Sequence, residues 1–205
     1  MDEVRERILA CGRSLLAEKG LRAITTNVIA QRVRISKKTL YLCFPTKDDL
    51  IGAILIAFIE EHLARWDVTL TDEDAPAMER IARSLDYVAQ FLPQLQAQVL
   101  SQAEPGSVTP ELWKEIDAIR MARLSSFRGL MQKVQEEGYL RADVDPDYWI
   151  LLLLGAVQTV LVPSVLLERG IPLPDIVRAV RTIFYDGLLT EKGRRYVKER
   201  REENA

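Results

Sequence analysis

The chain has 205 residues, of which 48% are hydrophobic, so it can bury a core and is not intrinsically disordered. Its formal net charge of −2 indicates no particular partner. The charge is unevenly distributed, however, because residues 1–50 hold ten basic and six acidic side chains (net +4), whereas residues 51–205 hold eighteen and twenty-four (net −6). This asymmetry predicts that the amino-terminal part faces a polyanion.

The two cysteines, Cys11 and Cys43, lack the spacing of a metal site or a disulfide framework, as expected in the reducing cytoplasm. The first residues are charged and unlike a signal peptide, so we expect a cytoplasmic protein. A redox switch at either thiol and a metal site at the single histidine, His62, are the less favoured alternatives. Lone cysteines usually pack as small hydrophobic residues, and a lone histidine on a charged helix is usually exposed. We therefore predict no metal and no cofactor.

Apolar residues recur at helical spacing along the chain, and no segment shows the sustained alternation of a strand. The sequence therefore predicts an all-α fold. Caps, glycines and prolines place the predicted helices at about residues 3–18, 26–33, 37–44, 47–66, 77–92, 94–102, 110–138, 146–169 and 174–189.

Three of these predictions depend on single features. Pro93 is expected to break the fifth helix, because proline lacks a backbone N–H and clashes with the preceding turn. One helix of about 28 residues is expected to run without interruption from Pro110 to Gly138. The charge-rich segment from Arg194 to Ala205 is expected to be a solvated or fraying helix end.

Residues 25–41 read as two short helices joined by a tight turn, which is the geometry of a helix-turn-helix motif. Ala30 is small enough for the point where the two helices cross. Between Lys19 and Lys47 the chain carries seven basic side chains and no acidic one. A solvated charged surface is the alternative interpretation, but the turn pattern favours contact with a nucleic-acid backbone. The apolar side chains that can fill the inner face are Ile29, Val33, Ile35 and Leu40.

Several side chains around this motif offer hydrogen-bond donors to DNA. Lysines and a threonine stand at the exposed start of the second short helix, and a tyrosine hydroxyl follows. A basic side chain lies in the turn, and two helix N-termini present free N–H groups that bind phosphate. The predicted DNA-binding residues are Thr26, Arg34, Lys37, Lys38, Thr39, Tyr41 and Lys47.

A longer ungapped pattern surrounds the two short helices. Its positions include Arg7-Ile8-Leu9-Ala10, Leu16-Ala17-Glu18-Lys19-Gly20, Thr25, Ile29-Ala30, Val33, Ile35-Ser36, Thr39-Leu40-Tyr41, Phe44-Pro45-Thr46-Lys47 and Leu50. The pattern resembles the DNA-binding domain of the TetR family of bacterial transcriptional regulators, over about residues 3–55. The resemblance implies that Lys37, Thr39 and Tyr41 face DNA and that Lys47 binds phosphate at the start of the fourth helix.

The same resemblance implies two domains. Residues 1–50 would form a three-helix helix-turn-helix DNA-binding domain, and residues 51–205 a larger helical ligand-binding and dimerisation domain. Three positions depart from the family pattern. Arg34 replaces the usual glycine of the turn, which costs roughly 1 kcal/mol if the backbone there is left-handed. Leu42 and Cys43 replace a polar and an aromatic residue, which removes contacts with the DNA backbone.

Large apolar side chains and a few polar ones could line a ligand cavity in the second domain, although each is also ordinary core material. The candidates are Phe91, Leu95, Gln98, Trp113, Met121, Phe127 and Gln158. The last two main helices hold more apolar surface than one small domain buries internally. A two-fold dimer built on them is predicted, and it is favoured over a membrane span of the apolar segment 148–167. The candidate interface residues are Leu152, Val160, Ile176, Val180, Ile183 and Phe184.

These observations predict a ligand-responsive DNA-binding transcriptional regulator. It is expected to be a repressor that acts as a homodimer on a pseudo-palindromic operator in double-stranded DNA and responds to a small-molecule effector. A helical dimeric interaction module with weakened or lost sequence-specific DNA binding is the alternative. An enzyme is not expected, because the sequence contains no GxSxG, P-loop, HExxH or Cys/His cluster.

Overall fold

The computed structural model describes residues 1–100, 102, 109–122, 124–161 and 172–203. Its regular elements are helices, and a single isolated antiparallel bridge joins Leu140 to Leu189 within these ranges. The predicted all-α fold is therefore confirmed. The helices are α1 (Asp2–Lys19), α2 (Thr26–Val33), α3 (Lys37–Cys43), α4 (Lys47–Thr71), α5 (Ala77–Leu95), α6 (Pro110–Met121), α7 (Leu124–Glu136), α8 (Pro146–Leu161), α9 (Leu173–Leu188) and α10 (Glu191–Glu203). A 3₁₀ turn covers Leu21–Ala23, and a π turn covers Gln96–Leu100.

A side-chain cap begins each of the two short helices of the helix-turn-helix. The Thr25 hydroxyl oxygen accepts a hydrogen bond from the Val28 N–H at 3.2 Å, at the start of α2. The Ser36 hydroxyl oxygen accepts one from the Thr39 N–H at 3.0 Å, at the start of α3. Each bond satisfies an N–H group that lacks a partner within its helix, so the two short helices begin where the sequence predicts.

The chain forms two compact units, one of residues 1–64 and 94–121 and the other of residues 65–93 and 122–205. The functional division at residue 50 stays a prediction. In the first unit, α1 to α4 bury side chains that are fully inaccessible to solvent. Gly12 on α1 allows the close approach of Ile54 on α4, because a Cβ at position 12 would lie 2.5 Å from Ile54 Cγ1. The fully buried side chains of this core include Ile8, Leu16, Ile29, Leu40, Leu50 and Ile54.

The second unit has its own apolar core, built from the end of α4, α5 and the helices from α7 onward. The rings of Trp66 and Phe127 lie 5.6 Å apart in this core. The carbonyl of Leu70, near the end of α4, accepts hydrogen bonds from two nitrogens of the Arg80 guanidinium, from Nη2 and, at 2.7 Å, from Nε. The core includes Leu70, Met78, Ile81, Phe127, Leu130, Met131, Val134 and Leu188.

The predicted break at Pro93 is wrong, because α5 continues through this proline to Leu95. Leu92 and Leu95 are buried on either side of it, so packing holds the chain helical there. The π turn Gln96–Leu100 follows at once. A proline removes one hydrogen bond of the helical ladder. The π turn, with its i to i+5 hydrogen bonds, begins three residues after this proline.

The predicted single helix from Pro110 to Gly138 is also wrong, because the structure divides it into α6 and α7. No glycine or proline lies at residues 122–123, so the local sequence gives no signal for this break. The break falls at the boundary between the two compact units. Ile116 on α6 is buried in the first unit and Phe127 on α7 in the second, so the two parts of the predicted helix pack in different cores.

The carboxyl-terminal segment forms helix α10 as far as Glu203. Most of its side chains are exposed, as predicted, but it does not fray before Glu203 and one of its faces is packed. Val197 on α10 is buried. The Tyr196 hydroxyl donates to the Glu79 carboxylate at 3.0 Å, and the Arg200 guanidinium donates to Glu79 at 2.8 Å and to Asp86 at 2.7 Å. The charges of this segment therefore include side chains that bind α10 to α5.

The most apolar helix is α8, which ends at Leu161 in the part of the chain that the structure describes. Its predicted extension to residue 169 lies outside the described residues. Among the described helices, none has the length and apolar composition that crossing a membrane requires.

Candidate nucleic-acid interface

The turn between α2 and α3 is tight and contains a strained residue. Arg34 has φ 58° and ψ 50°, which is the left-handed conformation, and among the described residues it is the only non-glycine with positive φ. The N–H of Arg34 donates to the Gln31 carbonyl at 3.2 Å, and the N–H of Ile35 donates to the Ala30 carbonyl at 3.0 Å. These bonds close the end of α2. The left-handed backbone that the sequence analysis considered at this position is therefore present.

Two arginines on α1 hold the ends of the helix-turn-helix. The Arg7 guanidinium donates to the Val33 carbonyl at 2.7 Å, at the last residue of α2. The Arg5 guanidinium lies 5.2 Å from the centre of the Phe44 ring, just after α3, at the distance of a cation–π contact. Sequence reasoning missed both roles, although basic side chains often bind the last carbonyls of a helix. These two side chains support the motif although both arginines are exposed.

The exposed face of α3 is formed by four side chains. Lys37, Lys38, Tyr41 and Leu42 are exposed, with Tyr41 43% and Leu42 64% accessible, whereas Leu40 is fully buried on the opposite side. Three of the predicted DNA-binding residues therefore share one accessible face of the second helix. This face is the surface that a helix-turn-helix presents to the major groove.

Thr39, another predicted contact, has a different environment. Its side chain is half-buried, and its hydroxyl lies 2.8 Å from the Ser36 hydroxyl. Either hydroxyl can be the donor in this pair. The Thr39 side chain thus already belongs to the cap of α3, and its contact with DNA stays a prediction.

The predicted phosphate-binding residues Thr26 and Lys47 each occupy the first position of a helix, α2 and α4 respectively. Thr26 is half-buried and Lys47 is exposed. Before Lys47, the N–H of Thr46 donates to the Asp49 carboxylate and the N–H of Asp49 donates to the Thr46 hydroxyl, both at 3.0 Å. This capping box occupies the N–H groups of Thr46 and Asp49, and the Lys47 side chain adds a positive charge at the same end of α4.

Two glutamines, Gln98 in the π turn and Gln102 just after it, bind the other end of the motif. Gln98 Nε2 donates to the Ala17 carbonyl near the end of α1, at 2.6 Å. The Arg22 N–H donates to Gln102 Oε1 at 3.1 Å. Gly20, with φ 78°, leaves the space that the Gln102 side chain fills. We call Gln98 and Gln102 the glutamine clasp; it binds the segment that leads from α1 into α2.

The motif matches a known family. Residues 8–54 fit the family model for bacterial regulatory proteins of the tetR family. The match identifies residues 8–54 as a tetR-family helix-turn-helix segment. The match covers α1, α2 and α3 and the first residues of α4, which are the elements that form the helix-turn-helix and its supports.

Longer similarities to TetR-family and related regulators extend into the second half of the chain. The HTH-type transcriptional regulator YvaF of Bacillus subtilis (strain 168) is 21% identical over 187 residues, which are 91% of this chain and 96% of YvaF. The HTH-type transcriptional repressor KstR2 of Mycobacterium tuberculosis (strain ATCC 25618 / H37Rv) is 28% identical over 146 residues, which are 70% of this chain and 72% of KstR2. These relatives are transcriptional regulators, not enzymes.

A solved structure shares the fold of this chain. It is a transcriptional regulator from Saccharomonospora viridis in complex with choline, with a TM-score of 0.66 and 20% identity. The alignment covers 93% of this chain and 100% of that chain. The likeness shows a shared fold over almost the whole length.

The predicted ligand-binding residues of the chain are divided between the two compact units. Leu95, Gln98, Trp113 and Met121 belong to the first unit, whereas the other three belong to the second. The Gln98 side chain binds the Ala17 carbonyl as part of the glutamine clasp. The side chains of Trp113 and Gln158 lie outside the described part of the chain, and the ligand site stays a prediction. The three residues in the second unit are Phe91, Phe127 and Gln158.

The remaining ligand candidates differ in burial. Leu95 and Phe127 are buried, and Phe127 belongs to the core of the second unit. Phe91 is half-buried and stacks on Tyr87, with ring centres 6.4 Å apart. Met121 is 52% exposed. Phe91 and Phe127 thus have environments suited to a cavity wall, and equally to ordinary packing.

A half-open cleft of about 620 Å³ lies in the first unit between α1, the start of α4 and α6. Leu9 and Leu112 line it together with several carboxylates. None of the predicted ligand-binding residues lines this cleft. The carboxylates at its wall are Asp48, Asp49, Glu60, Glu111 and Glu115.

Apolar side chains of the predicted dimer interface are exposed in the single chain. Leu152 on α8 and Ile183 on α9 are each 66% accessible, and Ile176 and Val180 on α9 are half-buried. Leu151, next to Leu152, is 62% accessible. The side chains of the two other predicted interface residues, Val160 and Phe184, lie outside the described ranges. The accessible apolar residues stand on the two helices that the sequence assigned to dimerisation.

Proposed function

We propose that this TetR-family regulator is a repressor that binds a pseudo-palindromic operator as a homodimer. The observation that carries the proposal is the accessible face of α3, where Lys37, Lys38 and Tyr41 stand together. The Ser36 hydroxyl caps this helix, and Arg7 holds the end of the preceding helix, α2. A rigid support is what direct contact with bases and phosphates requires. Since its partner would be chromosomal DNA, the protein would act in the cytoplasm. The name of KstR2 as a repressor supports the proposed direction of regulation.

A second copy of the chain would cover the apolar residues of α8 and α9. Exposed leucine and isoleucine side chains on adjacent interface helices are typical of a protein–protein contact. A two-fold axis through this contact would present two α3 helices to successive turns of the major groove, one to each half-site. The proposed homodimer therefore explains both the accessible apolar surface and the need for a palindromic operator.

Dimerisation can be tested by Ile183→Glu, measured by sedimentation equilibrium. The substitution would place an unpaired charge in the interface, and the dimer should dissociate more than about 100-fold more easily, because burying such a charge costs several kcal/mol. Val68→Glu is the matched control, since Val68 and Ile183 are equally exposed at 66%. A variant at Ile183 that remains as dimeric as the Val68 variant would contradict the proposed interface.

A small-molecule effector would bind within residues 51–205 and favour a conformation with lower affinity for the operator. The Saccharomonospora viridis protein of similar fold was crystallised with choline, which supports a ligand-binding role for this architecture. The glutamine clasp supports a route for the signal. It joins the residues that follow α5 to the end of α1, next to the helix-turn-helix.

The DNA-binding proposal is tested by selecting genomic fragments with the purified protein at moderate salt. We expect enrichment of one palindromic site. The double variant Lys37→Ala, Lys38→Ala should then lower the slope of log affinity against log salt by about 3 to 4, since four phosphate contacts per dimer each contribute about 0.9.

Lys198→Ala is the matched control for the loss of charge, because Lys198 is exposed on α10, far from the motif in sequence. Its salt slope should remain that of the unmodified protein. If no fragment is enriched and the double variant behaves like the control, the alternative of an interaction module without sequence-specific DNA binding takes the place of this proposal.

A further inference from the structure

Leu42 is an apolar side chain at the surface that the proposed function assigns to DNA. It is 64% exposed on α3, at the sixth of the seven residues of this helix. Between Asp2 and Ala64, the described large hydrophobic residues that are exposed are Tyr41 and Leu42. An exposed leucine by itself has little meaning, because much of any protein surface is apolar. Leu42 stands where the family pattern has a side chain that contacts the DNA backbone, and because leucine cannot make that contact, its apolar side chain offers DNA a different one.

Leu42 follows Lys38 by four residues, which is about one helical turn, so the two side chains lie one above the other on the same side of α3. Lys37 and Tyr41 border them on the accessible face. The rise from Lys38 to Leu42 is about 6 Å, roughly the length of two base-pair steps. If the lysines bring α3 to the major groove, Leu42 enters the same groove within two base pairs of Lys38.

Among the base edges of the major groove, the C5-methyl group of thymine is the apolar feature. The other positions present hydrogen-bond donors and acceptors, which would lose water against a leucine without gaining a partner. We propose that Leu42 contacts the methyl group of a thymine in each half-site of the operator and thereby selects thymine at that position. The inference depends on the proposed function, because it assigns base specificity to the same helix.

The test removes the methyl group from the DNA. Each thymine of the selected operator is replaced in turn by deoxyuridine, which lacks the methyl group and keeps the hydrogen-bonding edge. One thymine per half-site should show a loss of about fourfold in affinity for the unmodified protein, and about sixteenfold when both half-sites are changed, the expected effect of one buried methyl group each. Leu42→Ala should bind the thymine and deoxyuridine operators equally at that position.

Val68→Ala is the matched control, since Val68 is an apolar residue of similar exposure on α4. It should retain the full deoxyuridine penalty. Binding is also measured at reduced salt, where phosphate contacts strengthen and a weakened Leu42→Ala variant still forms a complex. A Leu42→Ala variant with the same penalty as the unmodified protein at every thymine would overturn the inference. Failure of the unmodified protein to select any operator would instead contradict the proposed function.

Discussion

Replacement of Arg34 by glycine should change stability and DNA affinity in opposite directions. The left-handed backbone at this residue (φ 58°, ψ 50°) costs a side chain with a Cβ about 1–2 kcal/mol. Glycine avoids that cost but loses about 0.5–1 kcal/mol more backbone entropy on folding. Arg34→Ala keeps the strain and removes the charge, so it is the matched reference. We expect the free energy of unfolding of Arg34→Gly to exceed that of Arg34→Ala by about 0.5–1 kcal/mol.

The assay is urea unfolding followed by circular dichroism, at one fixed protein concentration because dimer stability depends on concentration. Both variants lose the guanidinium of Arg34. If this group contacts a phosphate in each half-site, both should lower the salt slope of DNA binding by about 1.8. A glycine variant no more stable than the alanine variant would refute the argument from strain. An unchanged salt slope in both variants would refute the phosphate contact.

Two further predictions concern the cores of the two units. Gly12→Ala should lower the free energy of unfolding by about 1–3 kcal/mol, because the added methyl group would overlap the side chain of Ile54. Gly129→Ala is the control, since a Cβ at position 129 meets no atom within 4 Å. It should show no such loss in the same urea titration. Burial raises the pKa of Glu79, but hydrogen bonds, first among them that of Arg200, outweigh burial and leave this pKa below its ordinary value. The ionised form is thus favoured by folding, so its stabilisation is present above the ordinary pKa and is lost as the pH falls below it. Thermal unfolding between pH 6 and pH 3 should therefore depend less on pH in Glu79→Gln than in the unmodified protein, and equal dependence would contradict this role.

Much of the helix-turn-helix could be predicted from the sequence, because its signals are local. The hydroxyl oxygens of Thr25 and Ser36 each accept a hydrogen bond from the N–H three residues later. Residues of this cap-forming type can be recognised from the sequence. Gly138 likewise ends α7 as predicted: its φ is 78°, and the N–H of Tyr139 donates to the Val134 carbonyl at 3.1 Å, closing the helix. Lys37, Lys38 and Tyr41 could be selected because helical periodicity places them opposite the buried Leu40, a pattern that the structure confirms; their contact with DNA stays a prediction.

The supports of the motif could not be predicted in the same way. Arg7 reaches the carbonyl of Val33, a residue 26 positions away, and Gln98 reaches the carbonyl of Ala17, 81 positions away. Nothing in the residues next to Arg7 or Gln98 indicates such partners. Gln98 was assigned to a ligand on its polar character alone, and only the folded chain shows that its amide binds the end of α1.

The sequence by itself determined the all-α class, the starts of the short helices and the basic face of α3, because caps, periodicity and charge act over a few residues. Tertiary structure decided which helices continue and which end. It carries α5 through Pro93 between two buried leucines, separates α6 from α7 where no breaker is present, and holds α10 in place through Arg200, Glu79 and Asp86. In each case the deciding free energy comes from burial or from ion pairs between segments far apart in sequence, and it exceeds the local preference of the residues involved.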